Sequence, residues 1–104
     1  MRQGTTPTHT FSIPVPKNLI NSIFINYTQR GAMIIEKSGE DISLEDKDED
    51  SCAASVTLTQ GETLKLRPGS DCSIQVRFTT ASGEAFASQI ILEPVEAVLK
   101  DGVI

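Results

Sequence analysis

The sequence contains no tryptophan, a single histidine and only two cysteines. Two cysteines fall far short of the density of small secreted disulfide scaffolds, and together with one histidine they leave no closed set of four zinc ligands. His9 has no nucleophile motif such as G-x-S-x-G beside it, and no glycine-rich loop that would hold a phosphate is present. These absences predict a protein that is not an enzyme and needs no cofactor.

Long apolar runs and clustered positive charge are also missing. The opening residues MRQGTTP lack the apolar core of a signal peptide, and no segment approaches the roughly 20 apolar residues that span a bilayer. The net charge is −5, whereas phosphate backbones are bound by clustered cations. We therefore expect a protein that is made in a cytoplasm and binds neither membranes nor nucleic acid.

What the sequence does contain is β-strand alternation, most clearly in residues 72–92. When positions whose numbers sum to 164 are paired, apolar residues fall opposite each other: Ile74 with Ile90, Phe78 with Phe86, and Cys72 with Leu92. Polar residues alternate with them along the first strand. The same register leaves a three-residue loop that Gly83 closes in the left-handed conformation. The pattern predicts a β-hairpin whose inner face supplies core residues: Cys72, Ile74, Val76, Phe78, Phe86, Ile90 and Leu92.

Several other short segments have β character. The first runs from His9 to Ile13 and is typical of an edge strand. Residues 32–37 are almost continuously apolar and suit a strand covered on both sides, while Leu64 and Leu66 indicate a shorter strand. About seven strands with turns roughly every 8–12 residues predict one all-β domain over residues 1–104, an antiparallel β-sandwich of Ig-like architecture with a short polar N-terminal tail. A small β-barrel is the alternative.

Acidic residues are concentrated between Glu40 and Asp50, where seven of the fourteen lie. Such a charge run is typical of a solvated, self-repelling loop between two strands. A weak calcium site is the alternative, because Asp46, Asp48 and Asp50 match the first three ligands of a calcium loop. The rest of that motif fails, since serine replaces its glycine and threonine its bidentate glutamate.

The two cysteines, Cys52 and Cys72, share the sequence parity of core residues. In a simple meander they would be second neighbours in one sheet, about 9.6 Å apart, which is too far for a disulfide. Only a contact across two sheets would permit a bond. We expect two buried free thiols.

The two ends of the sequence are the strongest candidates for contacts with other molecules. Residues 2–8 are polar and lead directly into the predicted edge strand, and Val103 and Ile104 are apolar. The apolar pair either packs back onto the sandwich or docks on a neighbour. An edge strand with flexible tails suits strand addition to a partner. We therefore predict interaction residues at Thr5, Thr8, Val103 and Ile104, and a fold that survives removal of either tail because neither tail contributes core residues.

The opening residues from Arg2 to Phe11, RQGTTPTHTF, are the most distinctive part of the sequence. With further stretches they resemble a family of short proteins encoded in phages and prophages of Firmicutes and other gut bacteria. The resemblance extends over nearly the whole chain. The family has no assigned activity, so no catalytic residue is carried over. The further stretches are residues 23–29, 58–63, 74–77 and 87–88.

This resemblance implies a tailed-phage setting, in which small Ig-like sandwiches decorate capsids or join parts of the virion. The expected function is therefore that of a virion-associated structural protein, whose partners are other phage structural proteins or copies of itself. The alternative is a free phage-encoded protein that binds a host or phage factor.

Overall fold

The computed structural model describes residues 1–104 and contains eight strands, two 3-10 turns and one short α-helix. The 3-10 turns cover Lys17–Leu19 and Gly39–Asp41, and the helix α1 covers Gln60–Leu64. A helix that could span a membrane is not found among these elements. The strands are β1 (Thr8–Ile13), β2 (Ile20–Gln29), β3 (Ala32–Ser38), β4 (Ile42–Asp48), β5 (Ser51–Thr57), β6 (Asp71–Thr80), β7 (Ala85–Ala87) and β8 (Ile91–Pro94).

The strands form two antiparallel sheets. The first has the order β1-β5-β4, and the second has the order β3-β2-β6-β7, with β8 also paired to β6. If β1 is placed as strand B of an immunoglobulin-like domain, these orders read B-E-D and C′-C-F-G, with no strand A beside B. Neither sheet closes on itself. The fold is therefore the expected Ig-like β-sandwich, and the alternative of a barrel is wrong.

One hydrophobic core lies between the sheets. Alternate residues of β2, β5 and β6 point into it, as the period of a strand requires. Burying each large aliphatic side chain contributes roughly 1.5–3 kcal/mol before the entropy of ordering is subtracted. The core consists of Ile13, Ile23, Ile25, Tyr27, Ile35, Ile42, Cys52, Ala54, Val56, Leu58, Leu66, Cys72, Ile74, Val76, Phe78 and Val95.

The hairpin register is confirmed next to the turn and wrong beyond it. Phe78 lies opposite Phe86, and Gly83 has a φ of 90°, both as expected. Further along, Ile74 pairs with Ile91 rather than Ile90. The reason is that the segment joining β7 to β8 contains one residue more than the stretch of β6 that lies opposite it. The slip turns the side chain of Ile90 away from the core, since a one-residue shift exchanges the two faces of a strand.

Three of the expected core residues lie outside the core, and the slip accounts for two of them. Cys72 lies opposite Glu93 instead of Leu92, and both Ile90 and Leu92 are 61% exposed. Phe86 keeps its inward parity and stacks on Phe78 with ring centroids 5.2 Å apart, yet it is 43% exposed because β7 is an edge strand.

The region of Leu64 and Leu66 is helical, not a strand. Thr59 and Glu62 form a capping box, in which the Thr59 hydroxyl accepts from the Glu62 N–H at 3.1 Å and Glu62 Oε1 accepts from the Thr59 N–H at 2.9 Å. These bonds satisfy amides that a helix start leaves unpaired. Leu64 therefore belongs to α1, and Leu66 is buried after it.

Two further expectations about strands are corrected. The run from Ala32 to Lys37 is not covered on both sides, because β3 is an edge strand on which Met33 is 55% exposed. The acidic stretch from Glu40 to Asp50 is not a loop, because most of it forms β4, which pairs with β5. The stretch forms a strand because Ile42 and Leu44 point inward and give it one apolar face. A count of its charges does not reveal this face.

The N-terminal residues do not form a free tail. Arg2 makes a parallel bridge with Glu96, and the nitrogen of Met1 donates to Pro94 O at 2.6 Å. Met1 also packs against the hydrophobic core. The expectation that this end contributes nothing to the core is therefore wrong.

Candidate interaction surfaces

The outer edge of β1 is the least protected sheet edge in the molecule. β1 pairs with β5 on one side only, and its six residues, THTFSI, keep register without a bulge, a proline or a charge. The other edges are guarded in the usual ways: β4 carries several charges, β3 has a bulge, β7 is only three residues long, and Pro94 ends β8. A free, uncharged edge is the part of a sheet that accepts an added strand.

An apolar groove runs beside this edge, because the second sheet extends past β1 and no strand A covers it. The groove has a volume of about 230 Å³, more than the roughly 150 Å³ that admits a benzene-sized group. It contains no charged residue. We call it the β1 groove, and it is lined by Ser12, Ile13, Pro14, Val76, Phe78, Phe86, Ala87 and Ser88.

The predicted interaction residues near the N-terminus take part in internal hydrogen bonds. The Thr5 hydroxyl donates to Arg2 O at 2.6 Å, and the buried Thr63 hydroxyl donates to Thr5 O at 2.9 Å. Thr8 begins β1, where its hydroxyl lies 2.8 Å from that of Thr57. Thr8 is thus at the free edge, whereas Thr5 helps to hold the N-terminal residues on α1.

Near the other end of the chain, Val103 and Ile104 are 66% and 83% exposed. The backbone of Ile104 is nevertheless held, because its N–H donates to Gln60 Oε1 at 2.8 Å and its carbonyl accepts from Gln60 Nε2 at 3.3 Å. The pair is therefore attached to the sandwich through its backbone, while its side chains remain uncovered. Their role in contacts with other molecules remains a prediction.

Two of the three carboxylates of the calcium alternative, those of Asp46 and Asp48, accept hydrogen bonds within the chain. Asp46 Oδ1 accepts from the Lys17 N–H at 2.8 Å. Asp48 Oδ1 accepts from the Asp50 N–H at 2.8 Å and from the Ser51 hydroxyl at 3.0 Å, and these bonds lower the pKa of Asp48. No group of three or more side chains suited to a metal comes together in the structure.

Cys52 and Cys72 are free and buried. Cys52 begins β5 in one sheet and Cys72 begins β6 in the other, so the meander assumed from the sequence is wrong. Because β5 runs into α1 and β6 leaves it, the two thiols lie toward opposite ends of the sandwich. Burial raises the pKa of both, that of Cys72 to about 11, which makes them poor nucleophiles.

His9 contacts the opposite sheet. Its Nδ1 lies 2.6 Å from the hydroxyl of Tyr27, which is completely buried. Burial is the main cause of the lowered pKa of His9. The nearby Glu93 raises this pKa, whereas the amino group of Met1 lowers it further. The contact satisfies a buried phenol, and no nucleophile is bonded to either side chain.

Sequence reasoning missed the β1 groove, although one signal for it was present. The groove depends on the outward turn of the chain after Ala87, where Ser88 and Gln89 interrupt the apolar alternation. The hydroxyl of Ser88 accepts from the Val76 N–H at 3.0 Å, and the Ser88 N–H donates to Val76 O at 2.8 Å. A polar pair within an alternating strand is typical of such an irregularity.

The sheet orders thus define an Ig-like sandwich with open edges, and the surfaces described above are candidates for contacts with other molecules. No protein-family model matches the sequence, and no curated protein matches it. Among solved structures, the V domain of amphioxus IgVJ-C2 is similar, with 14% identity over 91% of this chain and 96% of that chain and a TM-score of 0.34. The assignment of the fold rests on the sheet orders and not on this weak likeness.

Proposed function

We propose that the protein is a non-enzymatic structural component of a tailed-phage particle, either a capsid decoration or a connector. The observation that carries the proposal is the unprotected edge of β1 beside the uncharged β1 groove. The resemblance of residues 2–11 to phage and prophage proteins supplies the setting. In this proposal the protein is made in the bacterial cytoplasm, resides in the virion, and contacts other phage structural proteins or its own copies, not nucleic acid or membranes.

The contact would form by strand addition. An extended segment of a neighbouring protein pairs its backbone with the free edge of β1, and its apolar side chains enter the β1 groove. Phe86, which points inward but is 43% exposed, becomes covered. The backbone pairing supplies affinity, while the absence of charge in the groove selects an uncharged segment.

The first test is the protein inventory of purified phage particles by mass spectrometry. The proposal expects this chain at many copies per particle, in stoichiometric ratio to a structural protein. Detection only in the lysate, separate from the particles, would refute the structural role.

A second test concerns the contact itself. Thr10 is exposed on β1, and its hydroxyl lies 3.0 Å from that of Ser55. We expect Thr10→Lys to block incorporation into particles, because a lysine on an edge strand opposes pairing. Ser55→Ala is the matched control, since it removes the same hydrogen bond without charging the edge. Equal incorporation of both variants would exclude β1 as the contact.

The second candidate function is a free binding protein that engages a host or phage factor during infection. The volume of the β1 groove, about 230 Å³, favours it, because the side chains of a single extended segment fill such a groove without an assembled neighbour. This function predicts a protein in the soluble fraction of infected cells that is absent from particles. Fractionation of one infected culture therefore decides between the two candidates.

A further inference from the structure

The outward face of the second sheet has a regular arrangement of side chains. On β2, Phe24 lies opposite Arg77 of β6, and Asn26 lies opposite Glu36 of β3. Met33 of β3 pairs with the next outward position of β2. We call this surface the outer face, defined by Phe24, Asn26, Met33, Glu36 and Arg77, which together line a shallow groove of about 250 Å³.

Two properties of the outer face are unusual for a surface in contact with water. Phe24 and Met33 are 39% and 55% exposed, so large apolar side chains are left uncovered. Asn26 Oδ1 is buried without a hydrogen-bond partner and is the only buried side-chain atom in this state. An unpaired buried acceptor of this kind costs roughly 1–3 kcal/mol.

The charges of the outer face complement one another. Glu36 and Arg77 are both exposed, and neither takes part in any of the ion pairs of the chain. They lie two strands apart and are offset by two residues, which places their Cα atoms about 12 Å apart. The midpoint between them falls on β2, between Phe24 and Asn26.

We propose that the outer face binds the outer face of a second copy of this chain. The two copies are related by a two-fold axis that passes through that midpoint and lies in the plane of the interface. The axis is perpendicular to the line from Glu36 to Arg77, so each Arg77 lies on the Glu36 of the other copy. The exposed side chain of Phe24 becomes covered near the axis, whereas Met33 lies farther out, about 10 Å from the axis by the same strand geometry. An isologous contact of this kind needs one surface that complements itself.

The same geometry explains why a second copy fits better than an unrelated protein. The outer face supplies both members of each ion pair, so two copies leave none of these four charges unpaired, although each chain has a net charge of −5. The proposal goes beyond the phage role and holds for the purified protein whether or not it is found in particles.

The test is a charge exchange followed by sedimentation analysis of the purified full chain. The apparent mass of the wild type is expected to rise about twofold as its concentration is raised. Arg77→Glu and Glu36→Arg, each alone, should remain monomeric, because like charges then face each other. An equimolar mixture of the two variants should dimerise again, since each copy now complements the other, and the double variant should also dimerise by itself.

A control variant separates the ion pairs from a general effect of charge. Glu45→Arg makes the same change at an exposed residue of β4, outside the outer face, and should dimerise like the wild type. Recovery in the mixture also shows that both single variants are folded. The proposal is overturned if the wild type stays monomeric at every concentration, if the single variants dimerise, or if mixing them restores nothing.

Discussion

His9 and Tyr27 provide a polar contact between the two sheets at a place where the surroundings are mostly apolar. The distance of 2.6 Å between Nδ1 and the phenol oxygen, with ring centroids 5.6 Å apart, keeps the completely buried Tyr27 hydroxyl satisfied. A neutral imidazole suits this position, because burial opposes its charged form. The contact therefore links the stability of the sandwich to pH.

We expect the free energy of unfolding to decrease as the pH falls from about 7.5 to about 5.5. The pKa of His9 in the folded protein lies below its ordinary value of 6.5, so below pH 6.5 the unfolded chain binds a proton that the folded chain does not. Urea denaturation at a series of pH values measures the effect.

His9→Gln should flatten this dependence, since it removes the titrating group while keeping a polar side chain. Glu62 and Asp48 do not interfere, because their pKa values lie below the ordinary values of 4.5 and 3.8 and their contribution is lost only at lower pH. A dependence that is equally steep in His9→Gln would contradict this assignment.

The buried thiols give a second prediction at this scale. Cys52 and Cys72 should both resist a thiol reagent at neutral pH, because burial blocks access and raises their pKa, that of Cys72 to about 11. Two thiols per chain should become reactive only when the protein is unfolded in denaturant. Rapid reaction of either cysteine in the native protein would show that its strand opens locally.

At the scale of elements, the parts of the fold that follow from local patterns could be predicted. Period-two alternation identifies β6, and the requirement for positive φ identifies the turn at Gly83, which has a φ of 90°. The α1 helix was missed because Leu64 and Leu66 also fit a strand. The T-x-x-E pattern of Thr59 and Glu62 was the local signal for a helix start.

The register beyond Ala87 depends on tertiary structure and could not be obtained by pairing apolar residues. One additional residue near Ser88 moves Ile90 and Leu92 to the outside, so the apolar residues that seemed to define the core instead become exposed. The free edge of β1 was predicted from the sequence, whereas the β1 groove was not, because it exists only where one sheet extends past the other. A sequence pattern shows which residues share a face of a strand, but it does not show what packs on that face.

The cap of α1 provides a prediction at this scale. Thr59→Ala should lower the free energy of unfolding by about 1 kcal/mol, because the Glu62 N–H loses its acceptor. Thr59→Ser is the matched control and should cost much less, since it retains the hydroxyl. Thermal or urea denaturation of the three proteins measures the difference, and equal losses in both variants would show that the methyl group matters rather than the cap.

At the scale of the whole molecule, the two ends of the chain contribute unequally. Removal of residues 1–3, by cleavage of an N-terminal fusion, should lower the free energy of unfolding by about 2–4 kcal/mol, because it uncovers core that Met1 packs against and breaks the backbone pairing to Pro94 and Glu96.

Removal of Val103 and Ile104 is the comparison, since both side chains are largely exposed. It should change the free energy of unfolding by less than about 0.5 kcal/mol. Denaturation curves of the two truncated proteins test the contrast. Equal stability of the protein without residues 1–3 would mean that the packing of Met1 is energetically neutral.

The bridge between Arg2 and Glu96 has a consequence for the newly synthesised protein. It joins Met1 and Arg2 with residues some 93 positions later in the chain, as the bond from Met1 to Pro94 shows. Domains emerge from their N-terminal side, so Met1 and Arg2 wait unpaired until Pro94 and Glu96 have been made. The nascent chain therefore exposes Met1 and Arg2 for most of the synthesis of residues 1–96, and chaperones that shield extended segments have their longest opportunity during this interval.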